Sequence, residues 1–88
     1  MANSKSAKKR AAKSALQREK NRAARSTMRT AVKKVRKAVG RGDLQAAEAL
    51  LPAAISVVDR TAQKGVVHRN TAARTKSRLT AAVRKAAQ

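Results

Sequence analysis

Apolar residues recur along the chain in three segments, and within each segment they fall three or four positions apart. That spacing places them on one face of an α-helix, which has about 3.6 residues per turn. The apolar stripes are Ala24, Met28, Ala31, Val32, Val35 and Val39 in the first segment, Leu44, Ala47, Leu51, Ile55, Val58 and Ala62 in the second, and Ala72, Leu79, Val83 and Ala86 in the third. No segment alternates as a strand does, so the pattern predicts three helices.

Short glycine-containing sequences separate the three segments. In Gly40–Asp43, a glycine suits the left-handed residue that often follows a helix, and Asp43 is a strong N-cap for the next helix. Lys64–Gly65 is a second helix stop. Asn70 or Thr71 is the candidate cap of the third helix.

Pro52 conflicts with a smooth second helix. A proline inside a helix removes one hydrogen bond and clashes with the preceding turn. We therefore expect a kink at Pro52, or a short break with Pro52 in the first turn of a resumed helix.

These segments predict an all-α fold, a three-helix bundle with an extended, basic first helix. If that helix runs from about residue 7 to 39, it is about 50 Å long at 1.5 Å per residue. Leu16 is the only large apolar residue between Lys5 and Met28, so the N-terminal part has no apolar face to bury and should project. We divide the single domain, residues 1–88, into a projecting basic arm (1–22), the part of helix one in the bundle (23–40), helix two (43–64) and helix three (67–87).

Charge restricts the function more than any other feature of the composition. The chain has 23 Lys and Arg against 4 Asp and Glu, a formal net charge of +19. Residues 1–42 carry 15 basic groups and 1 acidic group, residues 43–63 carry 1 and 3, and residues 64–88 carry 7 and none. Such a chain repels itself when compact, so we expect an anionic partner, either nucleic acid or an acidic membrane surface. Without Phe, Trp or Tyr, it should contact RNA through shape, backbone and 2′-hydroxyl groups rather than by stacking unpaired bases.

A stripe of basic residues is the most specific signal in the first segment. Its members follow spacings of 4, 3, 4, 4 and 3 and are Arg18, Arg22, Arg25, Arg29, Lys33 and Arg36. The stripe lies about 100° around the helix from the apolar face. One face can therefore pack in the bundle while the adjacent face meets phosphates.

Two further groups of polar residues are candidates for RNA contact. The N-terminal group is Lys5, Lys8, Lys9, Arg10 and Lys13, and the pattern leaves open a nucleic-acid arm, a disordered tail or a nuclear localisation patch. In the third segment Arg74, Arg78 and Lys85 share a face, and Lys76 and Arg69 lie nearby. The uncharged donors Asn70, Thr71, Thr75 and Ser77 suit either phosphate and ribose oxygens or capping and solvent contact.

Catalytic and metal-binding groups are scarce. His68 is the only histidine, there is no cysteine, and four acids do not make a convincing metal cage. A lone histidine at a turn is typical of a hydrogen-bonding or phosphate-contacting residue. The sequence thus predicts no enzyme, no cofactor and no metal site.

Five blocks of sequence, taken together in their order and spacing, identify a family more specifically than one short motif does. They are Met1–Arg10, Arg29-Thr30 with Lys33-Lys34-Val35, Val58-Asp59-Arg60, Lys64–Asn70 and Ala72–Leu79. In these blocks, and along nearly its whole length, the chain resembles the bacterial small-subunit ribosomal protein S20 family.

The resemblance implies a three-helix bundle in the cytoplasm that binds 16S ribosomal RNA directly and early in assembly, as a monomer within the small ribosomal subunit. It implies that the long first helix threads between RNA elements. The RNA contacts carried over by motif are Lys8, Lys9, Arg10, Arg29 and Lys33 in helix one, and Lys64, His68, Asn70, Arg74 and Lys76 in the second half. Asp59 also lies in a matching block, and we interpret it as structural, pairing with a nearby Arg or Lys.

Three alternatives fit the composition less well. A histone-like, DNA-compacting protein has similar charge, but the order of the motifs and the absence of a wedge residue argue against it. A membrane-active cationic helix needs Trp, Phe or Leu opposite its basic face, where helix one offers mainly Ala and Val. A cleaved transit peptide is also Arg- and Ser-rich, but here the basic composition continues along the chain.

Overall fold

The computed structural model describes residues 2–88, with side chains from residue 5 onward, and its regular structure is three α-helices. They are α1 (Ala2–Gly40), α2 (Leu44–Gln63) and α3 (Arg69–Ala87). No strand occurs in the described part of the chain, so the predicted all-α three-helix fold is confirmed. The structure is elongated, with extents of 67 × 21 × 15 Å, because α1 is twice the length of its partners.

The long helix α1 begins at Ala2, earlier than the expected start near residue 7. Its first half is rich in Ala and Lys, which both have high helix propensity. From residue 5 to residue 20 every side chain is exposed, and half-buried positions begin at Asn21. The N-terminal half of α1 therefore extends beyond the region in which α2 and α3 pack against it.

The core lies where the three helices meet. Leu79, Val35 and Val58 are its largest fully buried side chains, and all three belong to the predicted apolar stripes. The other buried residues are small or modest in size: Ala38, Ala47, Ala54, Thr61, Ala72 and Val83. A core made largely of alanine and valine removes little apolar surface from water, so each large residue in it carries a substantial share of the stability.

The burial of side chains and the predicted apolar stripes differ at four positions. Ala38, Ala54 and Thr61 are buried although the stripes omitted them, because small side chains let the helices approach closely. Thr61 is tolerated since its hydroxyl donates a hydrogen bond to the carbonyl of Val57, 2.7 Å away. Ala86, the last member of the α3 stripe, is exposed, as are all of residues 84–88, so the buried face does not extend to the end of this helix.

Both connections between helices end in the same hydrogen-bonded turn. At the first, Gly42 has φ +75°, its N–H donates to the carbonyl of Val39, and the N–H of Asp43 donates to Ala38. Asp43 then caps α2 through its side chain, which accepts from the N–H of Ala46 at 3.2 Å. The predicted N-cap is confirmed, and one residue both closes α1 and opens α2.

At the second connection, Gly65 has φ +76° and donates to the carbonyl of Ala62, while Val66 donates to Thr61. This is the arrangement in which a left-handed glycine satisfies the last carbonyls of a helix. The N-cap of α3 is His68, whose Nδ1 accepts from the N–H of Asn70 at 3.1 Å. Asn70 and Thr71 lie inside the helix, so their prediction as the cap was wrong.

Pro52 is the ninth residue of an α2 that continues without a break. The expected interruption, with Pro52 in the first turn of a resumed helix, is wrong. Both Pro52 and Glu48, whose carbonyl lacks its usual partner, are exposed. Water can reach that carbonyl, so the missing hydrogen bond does not leave a buried polar group.

Candidate nucleic-acid interface

The N-terminal half of α1 presents basic side chains on more than one side. Lys5, Lys8, Lys9, Arg10 and Lys13 are all exposed. At 100° per residue they spread over more than half of the helix circumference. This segment can meet phosphates from several directions at once, which suits an arm surrounded by a polyanion.

From Arg18 onward the predicted basic stripe becomes one-sided. Its six members lie within about 80° of one another and extend along about 27 Å of the helix axis. Five of them are exposed, and Arg25 is half-buried at the edge next to Met28. The stripe lies about 120° around the helix from the buried Val35, so packing of the bundle leaves it outward.

Acidic groups do little to neutralise this stripe. The one ion pair that involves it in the described residues joins Arg22 Nη1 to Glu19 Oε1 at 4.0 Å. Both side chains are more than 70% exposed, so the pair is weak and screened by salt. The stripe therefore keeps its positive charge available to an anionic partner.

The predicted contacts at the start of α3 gather at the α2–α3 connection. Lys64 is the C-cap of α2, and His68, Arg69 and Asn70 follow the turn; all four are exposed. Because His68 Nδ1 is engaged as the cap, its Nε2 is the ring nitrogen that remains for a phosphate or ribose.

Farther along α3, two of the predicted contacts are exposed and one is engaged inside the protein. Arg74 and Arg78 are exposed on one face of α3. Lys76 is half-buried, and its Nζ lies 2.7 Å from Asp59 Oδ1 on α2. Asp59 thus has the expected structural role. Lys76 joins α3 to α2 in this structure, and it can contact RNA only if a phosphate displaces Asp59.

The hydroxyl groups are less available as donors than the sequence suggested. Thr75 donates to the carbonyl of Thr71 at 2.9 Å, and Thr27 and Thr30 make the same kind of bond to the preceding turn of α1. Their oxygens can still accept a hydrogen bond, for example from a 2′-hydroxyl group. These residues are therefore candidates for ribose contact rather than for phosphate contact.

Three exposed cations outside the predicted set, Lys20, Lys34 and Arg60, lie along the groove between α1 and α2. The linear pattern did not single them out because they lie off the stripe. Only the packing of α2 on α1 forms the groove that they line.

Features of other kinds of site are missing from the described part of the chain. There is no group of three or more His, Cys, Asp or Glu side chains able to hold a metal ion. None of the described helices has the length and apolar content needed to cross a membrane.

Comparison with known proteins points to one family. The family described as ribosomal protein S20 matches residues 2–84. The chain is 51% identical over 84 residues to the small ribosomal subunit protein bS20 of Thiobacillus denitrificans, covering 96% of this chain and 97% of that protein. It is 55% identical to the protein of the same name from Thioalkalivibrio sulfidiphilus and 54% identical to that from Colwellia psychrerythraea, each over 96% of this chain and 98% of the relative.

Proposed function

The chain belongs to the ribosomal protein S20 family, and from this membership we propose that it is a structural component of the small ribosomal subunit that binds 16S ribosomal RNA directly. It is part of ribosomes in the cytoplasm and supports assembly of the small subunit. Within the subunit it is a monomer. We propose that it has no catalytic role and needs no cofactor, which is supported by the structural roles of its single histidine as the cap of α3 and of Asp59 as the partner of Lys76.

The observation that carries this proposal is the one-sided basic stripe on α1. The opposite side of the same helix packs on α2 and α3, which fixes the direction in which the stripe points. A row of cations about 27 Å long on one side of the helix fits a regularly spaced polyanion such as an RNA backbone.

Binding proceeds by charge neutralisation. Each phosphate that a Lys or Arg neutralises releases condensed counterions, so affinity falls steeply as salt rises. If about 6–10 phosphates are contacted, affinity should fall by roughly 10³–10⁵ between 50 and 200 mM salt, taking the duplex DNA relation as a guide. Specificity then comes from the fixed arrangement of the stripe and α3 on the packed bundle, together with the arm once RNA orders it, which only a folded RNA of matching shape satisfies.

The test is quantitative binding of the full chain to naked 16S ribosomal RNA and to duplex DNA of equal length, at about 0.2 M salt with excess tRNA as competitor. Saturable binding to the ribosomal RNA alone, with protection confined to a few RNA helices, supports the proposal. Equal binding to both, removed by the competitor, would overturn it and favour a DNA-compacting protein.

A further inference from the structure

The groove between α1 and α2 is lined by none of the residues of the basic stripe. It consists of three adjoining concavities of about 580, 160 and 410 Å³. Thr27 lines all three, Lys64 lines the first two, and Val57 lines the last two. The groove is therefore continuous from the point where the N-terminal half of α1 leaves the bundle to the middle of α2.

Cations are distributed along the whole of this groove. Lys20 and Lys64 line the end next to the arm, Arg60 lines the middle, and Lys34 lines the far end. All four are exposed, and no Asp or Glu lines any of the three concavities. Lys20 and Lys34 are about 21 Å apart along the axis of α1, so the positive charge is a row rather than a point.

The polar groups beside these cations suit a nucleic-acid backbone. Gln17 Nε2 donates to Asn21 Oδ1 at 3.1 Å, and the side-chain NH2 group of Asn21, which lines the groove, is a further potential donor. Thr27 and Thr30 have their hydroxyl protons engaged with main-chain carbonyls, so their oxygens are acceptors for a 2′-hydroxyl.

The floor of the groove is apolar and consists mostly of small side chains. It is formed by Ala24, Ala31, Leu50, Ala54 and Val57. A partner helix inserts large apolar anchors into deep pockets, and a floor made mostly of alanine and valine offers few of these. The carbon face of ribose needs only a shallow apolar surface.

We infer that the α1–α2 groove binds the sugar–phosphate backbone of one RNA strand, with Lys20, Arg60 and Lys64 as its principal phosphate contacts. This inference rests on the proposed function and adds to it an RNA surface separate from the basic stripe, one that shares Lys64 with the predicted contacts at the α2–α3 connection. Lys20 and Lys34 lie about 140–180° around α1 from the basic stripe, so this strand is distinct from the one that the stripe contacts.

The test compares the triple variant K20Q/R60Q/K64Q with a control of equal charge, K37Q/R41Q/R84Q, whose residues are exposed and lie outside both the groove and the stripe. Affinity for naked 16S ribosomal RNA is measured against salt concentration. The groove variant should bind at least about tenfold more weakly, and its salt slope should fall by about 2–3, roughly 1 for each phosphate that is no longer neutralised. The affinity of the control should fall by less than about threefold. Circular dichroism is the control measurement, and both variants should remain as helical as the unaltered chain.

Two further measurements make the result decisive. The variant K20R/R60K/K64R keeps the charge and should restore binding. Hydroxyl-radical footprinting should show that the groove variant no longer protects one strand and still protects the rest. Equal affinity of the groove and control variants, with an unchanged footprint, overturns the inference and leaves the proposed function standing. If the unaltered chain shows no specific protection of 16S RNA, the proposed function fails and the inference falls with it.

Discussion

Lys76 Nζ lies 2.7 Å from Asp59 Oδ1, and this ion pair joins α3 to α2. The two side chains are 35% and 45% exposed, so water and salt weaken the attraction. An ion pair of this kind contributes at most about 1 kcal/mol to the free energy of unfolding. The pair nevertheless matters for function, because it engages a lysine that would otherwise be free to contact phosphate.

Replacing Asp59 by Asn should therefore have opposite effects on stability and on RNA binding. The free energy of unfolding should fall by up to about 1 kcal/mol, measured by urea unfolding followed by circular dichroism. Affinity for 16S ribosomal RNA should stay the same or rise, since Lys76 is released. Glu19→Gln is the control, because its pair with Arg22 is long and almost fully exposed, and its stability should not change. A marked drop in RNA affinity in Asp59→Asn would contradict the structural role of this carboxylate.

Gly65→Ala tests the turn that ends α2. Gly65 has φ +76°, and an L-residue held in that left-handed region costs about 1–2 kcal/mol. The free energy of unfolding of the variant should fall by that amount, as measured by chemical unfolding. Gly40→Ala is the matched control: Gly40 is helical, and nothing lies within 4 Å of an added Cβ there. It should be neutral or up to about 1 kcal/mol more stable. Equal destabilisation of the two variants would show that backbone conformation is not the cause.

The sequence predicted those parts of the fold that depend on local pattern. Three- and four-residue spacing placed Val35, Val58 and Leu79 in the core, and glycine with aspartate marked the turn at Asp43. These signals are local because helix periodicity and capping act between residues a few positions apart.

The features that could not be predicted from the sequence depend on details of the folded chain. His68 caps α3 although Ser, Thr, Asp and Asn are the preferred caps, because its extended backbone, with φ −68° and ψ 145°, brings its Nδ1 to 3.1 Å from the N–H nitrogen of Asn70. The groove has no signature in the linear pattern because Lys20 and Lys64 are distant in sequence and only the packing of α2 on α1 brings them to one concavity. Pro52 stays helical because its exposed position lets water hydrate the unpaired carbonyl.

Neutralising part of the basic stripe should weaken RNA binding without affecting the fold. Arg29, Lys33 and Arg36 are exposed, so the variant R29Q/K33Q/R36Q should keep its helicity and unfolding midpoint. Its salt slope for 16S ribosomal RNA should fall by about 3, roughly 1 for each cation withdrawn from a phosphate. The control K37Q/R41Q/R84Q removes the same charge from other exposed positions. If the two variants lower affinity and slope equally, net charge alone drives binding and the stripe has no special role.

Amide hydrogen exchange along α1 should divide the helix into two parts in the absence of RNA. Residues 28–39 pack on α2 and α3, and Val35 and Ala38 are fully buried there. Every side chain at residues 8–18 is exposed, and a helix without packing is marginal in water even at high propensity. Amides at 8–18 should therefore exchange rapidly in the free protein, whereas those at 28–39 should be protected. Adding 16S ribosomal RNA should slow exchange at 8–18, because phosphates neutralise the repulsion among the cations of the arm. Strong protection of residues 8–18 without RNA would contradict this, and would mean that the N-terminal half of α1 is held rigid by the chain itself before it meets its partner.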